Sequence, residues 1–302
     1  MTHAIALPLP ARLAALTDLE RVAFGYLADY EGNTRTAYEY HLNAFLAWCH
    51  LHGVDPLTAD RTTIALYVRH LSEERGLRGS TVNTAMTPVK GFYRWAMLEG
   101  FIDRDPVVHT RLPKVDYRKK YPLDREELRA IRRSAKQLGG RHWALGELLI
   151  AHAFRISECC DLLIENCQDV ERGHRVMRVR RKGGKIRTVP MPAVVAMAID
   201  DAAGDRTEGP VLVSIDGYKL HRSSATGLLN TVVRHSGVTK HVNPHLIRAS
   251  VITTHLDGGG DIREGQRLAD HEDPRTTSRH YDLSKSNHDT HPVHIVSARL
   301  TA

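Results

Sequence analysis

Arg155 follows the apolar run Leu149-Ile150-Ala151-His152-Ala153-Phe154, and Glu158 lies three positions beyond it. A guanidinium held by an acidic neighbour is a rigid fork that matches two phosphate oxygens. The same two residues also describe an ordinary ion pair on a helix face. The stretch 175–190 carries Arg175, Arg178, Arg180, Arg181, Lys182, Lys185 and Arg187 around a Lys182-Gly183-Gly184-Lys185 turn. A basic ribbon can enter a DNA groove, and a lysine at its tip can give a proton to a departing oxygen. A solvated edge strand that resists aggregation has the same composition. In Pro244-His245-Leu246-Ile247-Arg248, the imidazole and guanidinium are three apart at a helix start. That spacing puts both on one face, beside amides that favour anions.

The fourth group is His271 with Tyr281. A phenol attacks at neutral pH only when a neighbour takes its proton and the electrophile is activated. Two arginines, a lysine and two histidines meet both needs without a metal. Eight of the ten tyrosines fall at or before Tyr121, and Tyr281 is the only one after Tyr218. Chemistry based on a tyrosine near the C-terminus therefore has one candidate. Each group alone has a bland structural reading, and their joint occurrence in this order is far more specific. No HExxH, no CxxC and no carboxylate cluster points to a metal-dependent nuclease.

These residues need elements to position them. Residues 1–17 read as a flexible lead-in, and 18–112 as a helical bundle. Within the bundle, Thr34–His52 and Thr62–Glu74 carry apolar residues at helical spacing. Ser80 can cap a third helix that stops at Gly100, with Pro88 expected to kink it. Residues 113–121, bracketed by Pro113 and Pro122, contain Lys114, Arg118, Lys119 and Lys120 and read as a basic linker. It suits a strap on phosphates and equally a solvated connector.

From residue 122 the pattern is mixed. Helices are expected over Arg125–Gln137, His142–Phe154, Met191–Ala203 and Tyr218–Ser236. A β-hairpin is expected around the Gly-Gly turn. Asn243-Pro244 opens a further helix that ends at Gly258-Gly259-Gly260, and Asp261 caps the next, which ends near His271. The expected fold class is mainly α with two domains. An N-terminal helical bundle precedes a C-terminal α+β domain, 122–302, with a small antiparallel sheet.

Composition sets the partners. Lys plus Arg number 42 against 35 Asp plus Glu, a formal charge of +7 that favours a polyanion. Cys49, Cys159, Cys160 and Cys167 form neither a disulfide framework nor a zinc pattern and read as buried thiols. Ala4–Pro10 is too short and proline-rich for a signal peptide, and no run approaches the ~18 apolar residues of a membrane span. A cytoplasmic protein with no membrane partner is expected.

In these motifs the chain resembles the tyrosine recombinases of the phage-integrase family, from about residue 20 to Tyr281. Residues 153–158 are close to a GLRISE pattern, 181–190 to GKGGKxRxVP, 245–248 to HxxR and 269–271 to an LGH box. The resemblance implies a core-binding, SAM-like N-terminal domain and a catalytic C-terminal domain. It assigns Arg155, Lys182, His245, Arg248 and His271 to the scissile phosphate and Tyr281 to nucleophilic attack, with Glu158 supporting Arg155. It implies DNA cleavage and rejoining through a 3′-phosphotyrosyl bond, with no cofactor and no metal. Arg118, Lys119, Lys120, Arg178, Arg180, Arg181 and Lys185 are the expected DNA-contacting residues. The implied partners are double-stranded attachment sites, a homotetramer at synapsis, and accessory bending or directionality factors. Residues 284–302, with Val293, Ile295, Val296 and Leu300, are either a segment docking on a neighbouring protomer or one packing on its own domain. With about 20 residues before the bundle, the chain looks like a short integrase without an arm-binding domain, acting on a phage or mobile element, or a relative of the chromosome-dimer resolving recombinases.

The chain also departs from the pattern. Ala153, Arg181 and Asp270 stand where the family commonly has glycine, and His271 and Tyr281 are ten apart, one more than is usual. They read as variation within the family. Two other readings use the same residues: a catalytically silent DNA-binding regulator, and a topoisomerase IB-like nicking-closing enzyme.

Overall fold

The computed structural model describes residues 16–115, 122–181 and 184–270. The chain divides into two compact units, Met1–Arg118 and Lys119–Ala302.

The first unit is helical. Its helices are α1 (Asp18–Ala28), α2 (Gly32–Leu51), α3 (Arg61–Arg69), which runs into a π-turn over His70–Glu74, and α4 (Gly79–Leu98). Thr17 caps α1 in a box with Glu20, and Asp60 caps α3 through the amide of Thr63. The helices bury Val22, Leu42, Phe45, Ile64, Tyr67, Met86, Phe92 and Tyr93 in one core. Phe45 meets Tyr67 and Tyr93 edge-on, and the Tyr93 hydroxyl donates to the Pro56 carbonyl at 2.8 Å. Ser80 does not cap α4. The helix begins a residue earlier, with Arg78 at the cap position and no side-chain bond there. Gly79 lies close to the Lys114 carbonyl, where a Cβ would meet the oxygen at 2.5 Å. Helix α4 continues through Pro88, which is buried.

The second unit has seven helices among its described residues: α5 (Arg125–Leu138), α6 (Gly140–Ile150), α7 (Ile156–Asp161), α8 (Ala193–Ala203), α9 (Arg222–Ser236), α10 (Pro244–Asp257) and α11 (Ile262–Ala269). Strands β1 (Val170–Glu171), β2 (His174–Arg180) and β3 (Ile186–Pro190) form an antiparallel sheet in sequence order. The register of the β2–β3 hairpin runs from Val176 opposite Pro190 to Arg180 opposite Ile186. Helix α6 is central: every residue from Trp143 to Leu149 is buried, and it packs against α5, α8, α9 and α10. Its buried carboxylate, Glu147, takes both the Nε and Nη2 donors of Arg132 on α5. Asp124 caps α5 in a box with Glu127, and the hydroxyl of Ser250 on α10 accepts from the Leu123 amide at 2.8 Å.

Fold class agrees with expectation, and several boundaries move. The helix expected over His142–Phe154 ends at Ile150, and α8 and α9 start at Ala193 and Arg222. The first shift matters most, because the broken segment 151–155 leads into Arg155. All four cysteines are free and buried. No described helix is long and apolar enough to cross a membrane.

Candidate active site

Arg155 occupies the N-cap position of α7 in an extended conformation, with φ −70° and ψ 147°. Two residues earlier Ala153 takes a left-handed φ of +50°, which turns the chain out of α6 and into α7. Glu158, in the first turn of α7, closes the arrangement. Its Oε2 accepts from the Arg155 backbone amide at 2.8 Å and its Oε1 from Arg155 Nη1 at 2.7 Å. The carboxylate is buried, while the Arg155 side chain keeps 27% of its surface open to solvent. An arginine braced on one side and open on the other suits an anionic ligand.

The same carboxylate holds a second cation. Arg181 Nη1 donates to Glu158 Oε2 at 2.8 Å, and its guanidinium carbon lies 4.6 Å from the centre of the Phe154 ring. Strand alternation explains why Arg181 points inward. Met177 and Val179 are buried, Arg178 and Arg180 are exposed, and the period of two carries Arg181 to the buried face. The expectation that Arg181 reaches DNA from the ribbon's edge therefore does not describe its place, since it is 6% exposed.

Arg248 arrives from α10, whose first turn is fixed by Asn243 accepting from the Leu246 amide and by Pro244 at the helix start. The Arg248 guanidinium is buried and donates to the carbonyls of Ala153 and Ala269. Burial, then the nearby Arg155, pushes its pKa down to about 10. It stays cationic at neutral pH. His245 lies one turn earlier on α10 and is exposed.

Asp270 ends α11 in a left-handed conformation, φ +47°. Its carboxylate lies 3.7 Å from Arg181 Nε and 3.9 Å from Arg187 Nε. His152, its ring centre 5.0 Å from that of Phe154, is buried with no hydrogen bond to its Nε2 among the described residues. Burial and the Arg181 charge push its pKa down to about 4.

Thus Arg155, Glu158 and Arg248 come together from α7 and α10, and His245 starts the helix that carries Arg248. Lys182, His271, Tyr281, Arg118, Lys119, Lys120 and the segment 284–302 lie outside the described residues. Arg178 and Arg180 are on the exposed face of β2, and Arg178 pairs with Asp169 at 2.8 Å. Lys185 is exposed just before β3. Two participants were not singled out from the sequence as parts of the site, His152 and Asp270. For Asp270 a signal existed: two of the three departures from glycine, at 181 and 270, carry opposite charges.

Comparison with known proteins supplies the context. Residues 122–288 match the family model described as the phage integrase family, and residues 25–100 match that of the phage integrase N-terminal SAM-like domain. A tyrosine recombinase XerC of Pelobacter propionicus is 28% identical over 260 residues, covering 83% of this chain and 85% of the relative. A tyrosine recombinase XerD of Mycobacterium leprae is 33% identical over 215 residues, covering 64% of this chain and 66% of the relative. Among solved structures, the Tn1549 transposon integrase in complex with circular intermediate DNA aligns with a TM-score of 0.73 at 18% identity, over 93% of this chain and 99% of that one. A lambda integrase tetramer bound to a Holliday junction aligns at 0.68 and 16% identity, over 90% of this chain and 79% of that one. At such identities the structural likeness shows a shared fold. With more than half of its length matched by the catalytic-domain model, this chain belongs to the phage integrase family.

Proposed function

We propose that this protein is a site-specific DNA recombinase that cleaves and rejoins duplex strands through a tyrosine, Tyr281, and that its domains follow the boundaries 18–112, 113–121 and 122–302. The observation that carries the reading is the pair Arg155 and Arg248. They come from helices far apart in sequence and share one neighbourhood around the buried Glu158. Two fixed guanidinium groups offer the non-bridging oxygens of a scissile phosphate the charge that a pentacoordinate transition state needs.

Tyr281 attacks phosphorus in line, forming the O–P bond as the bond to the 5′-oxygen breaks. The phenolic proton passes toward His245, and Lys182 gives a proton to the leaving 5′-oxygen. His271 donates a hydrogen bond to the phosphate. The product is a 3′-phosphotyrosyl bond and a free 5′-hydroxyl. Attack by the 5′-hydroxyl of a partner strand reverses the steps and releases the tyrosine. The number of phosphodiester-type bonds is conserved, so no energy source is consumed. Exchange between two duplexes uses four active sites and hence four protomers. The exposed basic side chains Arg178, Arg180 and Lys185, with Arg118, Lys119 and Lys120, bind the backbone through phosphate contacts. The protein works in the cytoplasm, where it integrates or excises a phage or mobile element.

A pool of nicked duplexes with a randomised core tests the reading. A nick lets the 5′-fragment diffuse away, so cleavage leaves protein and DNA joined. Wild type forms an adduct stable in detergent without added metal, and Tyr281→Phe forms none. Binding without any adduct would favour the silent DNA-binding regulator. An adduct accompanied by relaxation of supercoiled DNA of any sequence would favour the nicking-closing enzyme.

A further inference from the structure

Ala153, Arg181 and Asp270 are scattered over more than a hundred residues, yet all three border the same arginine cluster. Arg181 bonds the carboxylate that braces Arg155. Asp270 faces Arg181. Arg248 is held by the carbonyl of Ala153, and by that of Ala269, the residue before Asp270. The contacts form a connected path: Arg155 to Glu158, Glu158 to Arg181, Arg181 to Asp270, and through Ala269 to Arg248.

We infer that Arg181 is a positioning residue that couples the two phosphate arginines, with Asp270 as its obligatory second anchor. This rests on the assignment of Arg155 and Arg248 to the scissile phosphate. Three features support it. Arg181 is buried, so it is not placed to act as an exposed strand-edge contact to DNA. Its planar fork addresses two carboxylates from different donors, Nη1 to Glu158 and Nε toward Asp270, which a lysine ammonium cannot reproduce. Phe154 holds the plane of the fork from one face. The Arg181 Nε has no hydrogen bond among the described residues, so the Asp270 carboxylate at 3.7 Å is what offsets its charge on that side. Glycine at both positions removes this side-chain link between the two arginine supports. In this chain the two departures form one device.

The test uses two substitutions that keep the local shape. Asp270→Asn removes the charge and keeps a residue tolerant of left-handed backbone, and Arg181→Lys keeps the charge and removes the fork. The probe is the duplex recovered by covalent capture from the randomised pool. Each single variant is expected to lower the single-turnover rate of adduct formation at saturating DNA by about tenfold or more, with the DNA Kd changed less than about threefold. The double variant is expected to be no slower than the worse single one, because both substitutions sever the same bridge. Unchanged rates in both single variants overturn the inference. So do rate losses that multiply in the double variant, or a weakened Kd with an unchanged rate, which would make Arg181 a plain DNA contact. Should Arg181→Lys fail to fold, Asp270→Asn at the partly exposed partner still decides. Absence of any wild-type adduct would instead overturn the assignment on which the inference rests.

Discussion

Glu158 carries three demands at once: the backbone amide of Arg155, the guanidinium of Arg155 and the guanidinium of Arg181. A buried carboxylate is tolerable only with such compensation, and deleting one partner leaves charge stranded. His152, whose ring centre lies 5.0 Å from that of Phe154, is in the opposite electrical situation. It is buried, beside the Arg181 charge and neutral, with its pKa pushed down to about 4. The unfolded chain binds the proton near pH 6.5 and the folded one only near pH 4, so between those values the unfolded state holds more protons. Stability is therefore full above the unfolded value and falls as pH drops through the window. The loss attributable to His152 is on the order of 2 kcal/mol between pH 7 and pH 5. Urea unfolding at both pH values should show it, and His152→Gln should flatten that part of the dependence. An equal loss in the variant would assign the effect to other groups.

At the scale of elements, the junction between α6 and α7 decides where Arg155 stands. A continuous helix over His142–Phe154, as the apolar spacing alone implies, would carry the arginine around a helix face. Instead the chain breaks after Ile150 and Ala153 turns it through a left-handed conformation. Periodicity reports which residues are buried, and 151–154 are largely buried whether helical or not. The break was therefore not legible in spacing. A glycine at 153 would have marked it, because that residue takes positive φ freely. Alanine there bears a cost of about 1 kcal/mol. Ala153→Gly should accordingly raise the thermal unfolding midpoint by roughly 2–4 °C, with adduct formation retained. A lower midpoint would mean that the Ala153 methyl contributes more through packing than its backbone costs. Capping signals were legible where side chains made them, at Asn243 and Asp261. Ser80 misled, because α4 begins at Gly79, against the Lys114 carbonyl. Arg181 was legible in principle: the alternation of Met177 and Val179 pointed it inward, but its membership of a basic run suggested the surface.

At the scale of the whole molecule, two compact units match two family models, one over 25–100 and one over 122–288. The order of motifs along the chain made the family legible, since each motif alone fits a bland structural role. The arginine pair and its carboxylate follow from that order and are brought together in the structure. The connection through Arg181 and Asp270 follows from contacts that no spacing rule anticipates. In the proposed mechanism Tyr281 carries the DNA. Digesting the trapped adduct with nuclease and then trypsin, and weighing the peptides, tests it most directly. A nucleotide-sized mass increment is expected on the peptide His280–Lys285, which contains Tyr281 and no other tyrosine. The increment on a peptide containing Tyr218, or on any other residue, would contradict it.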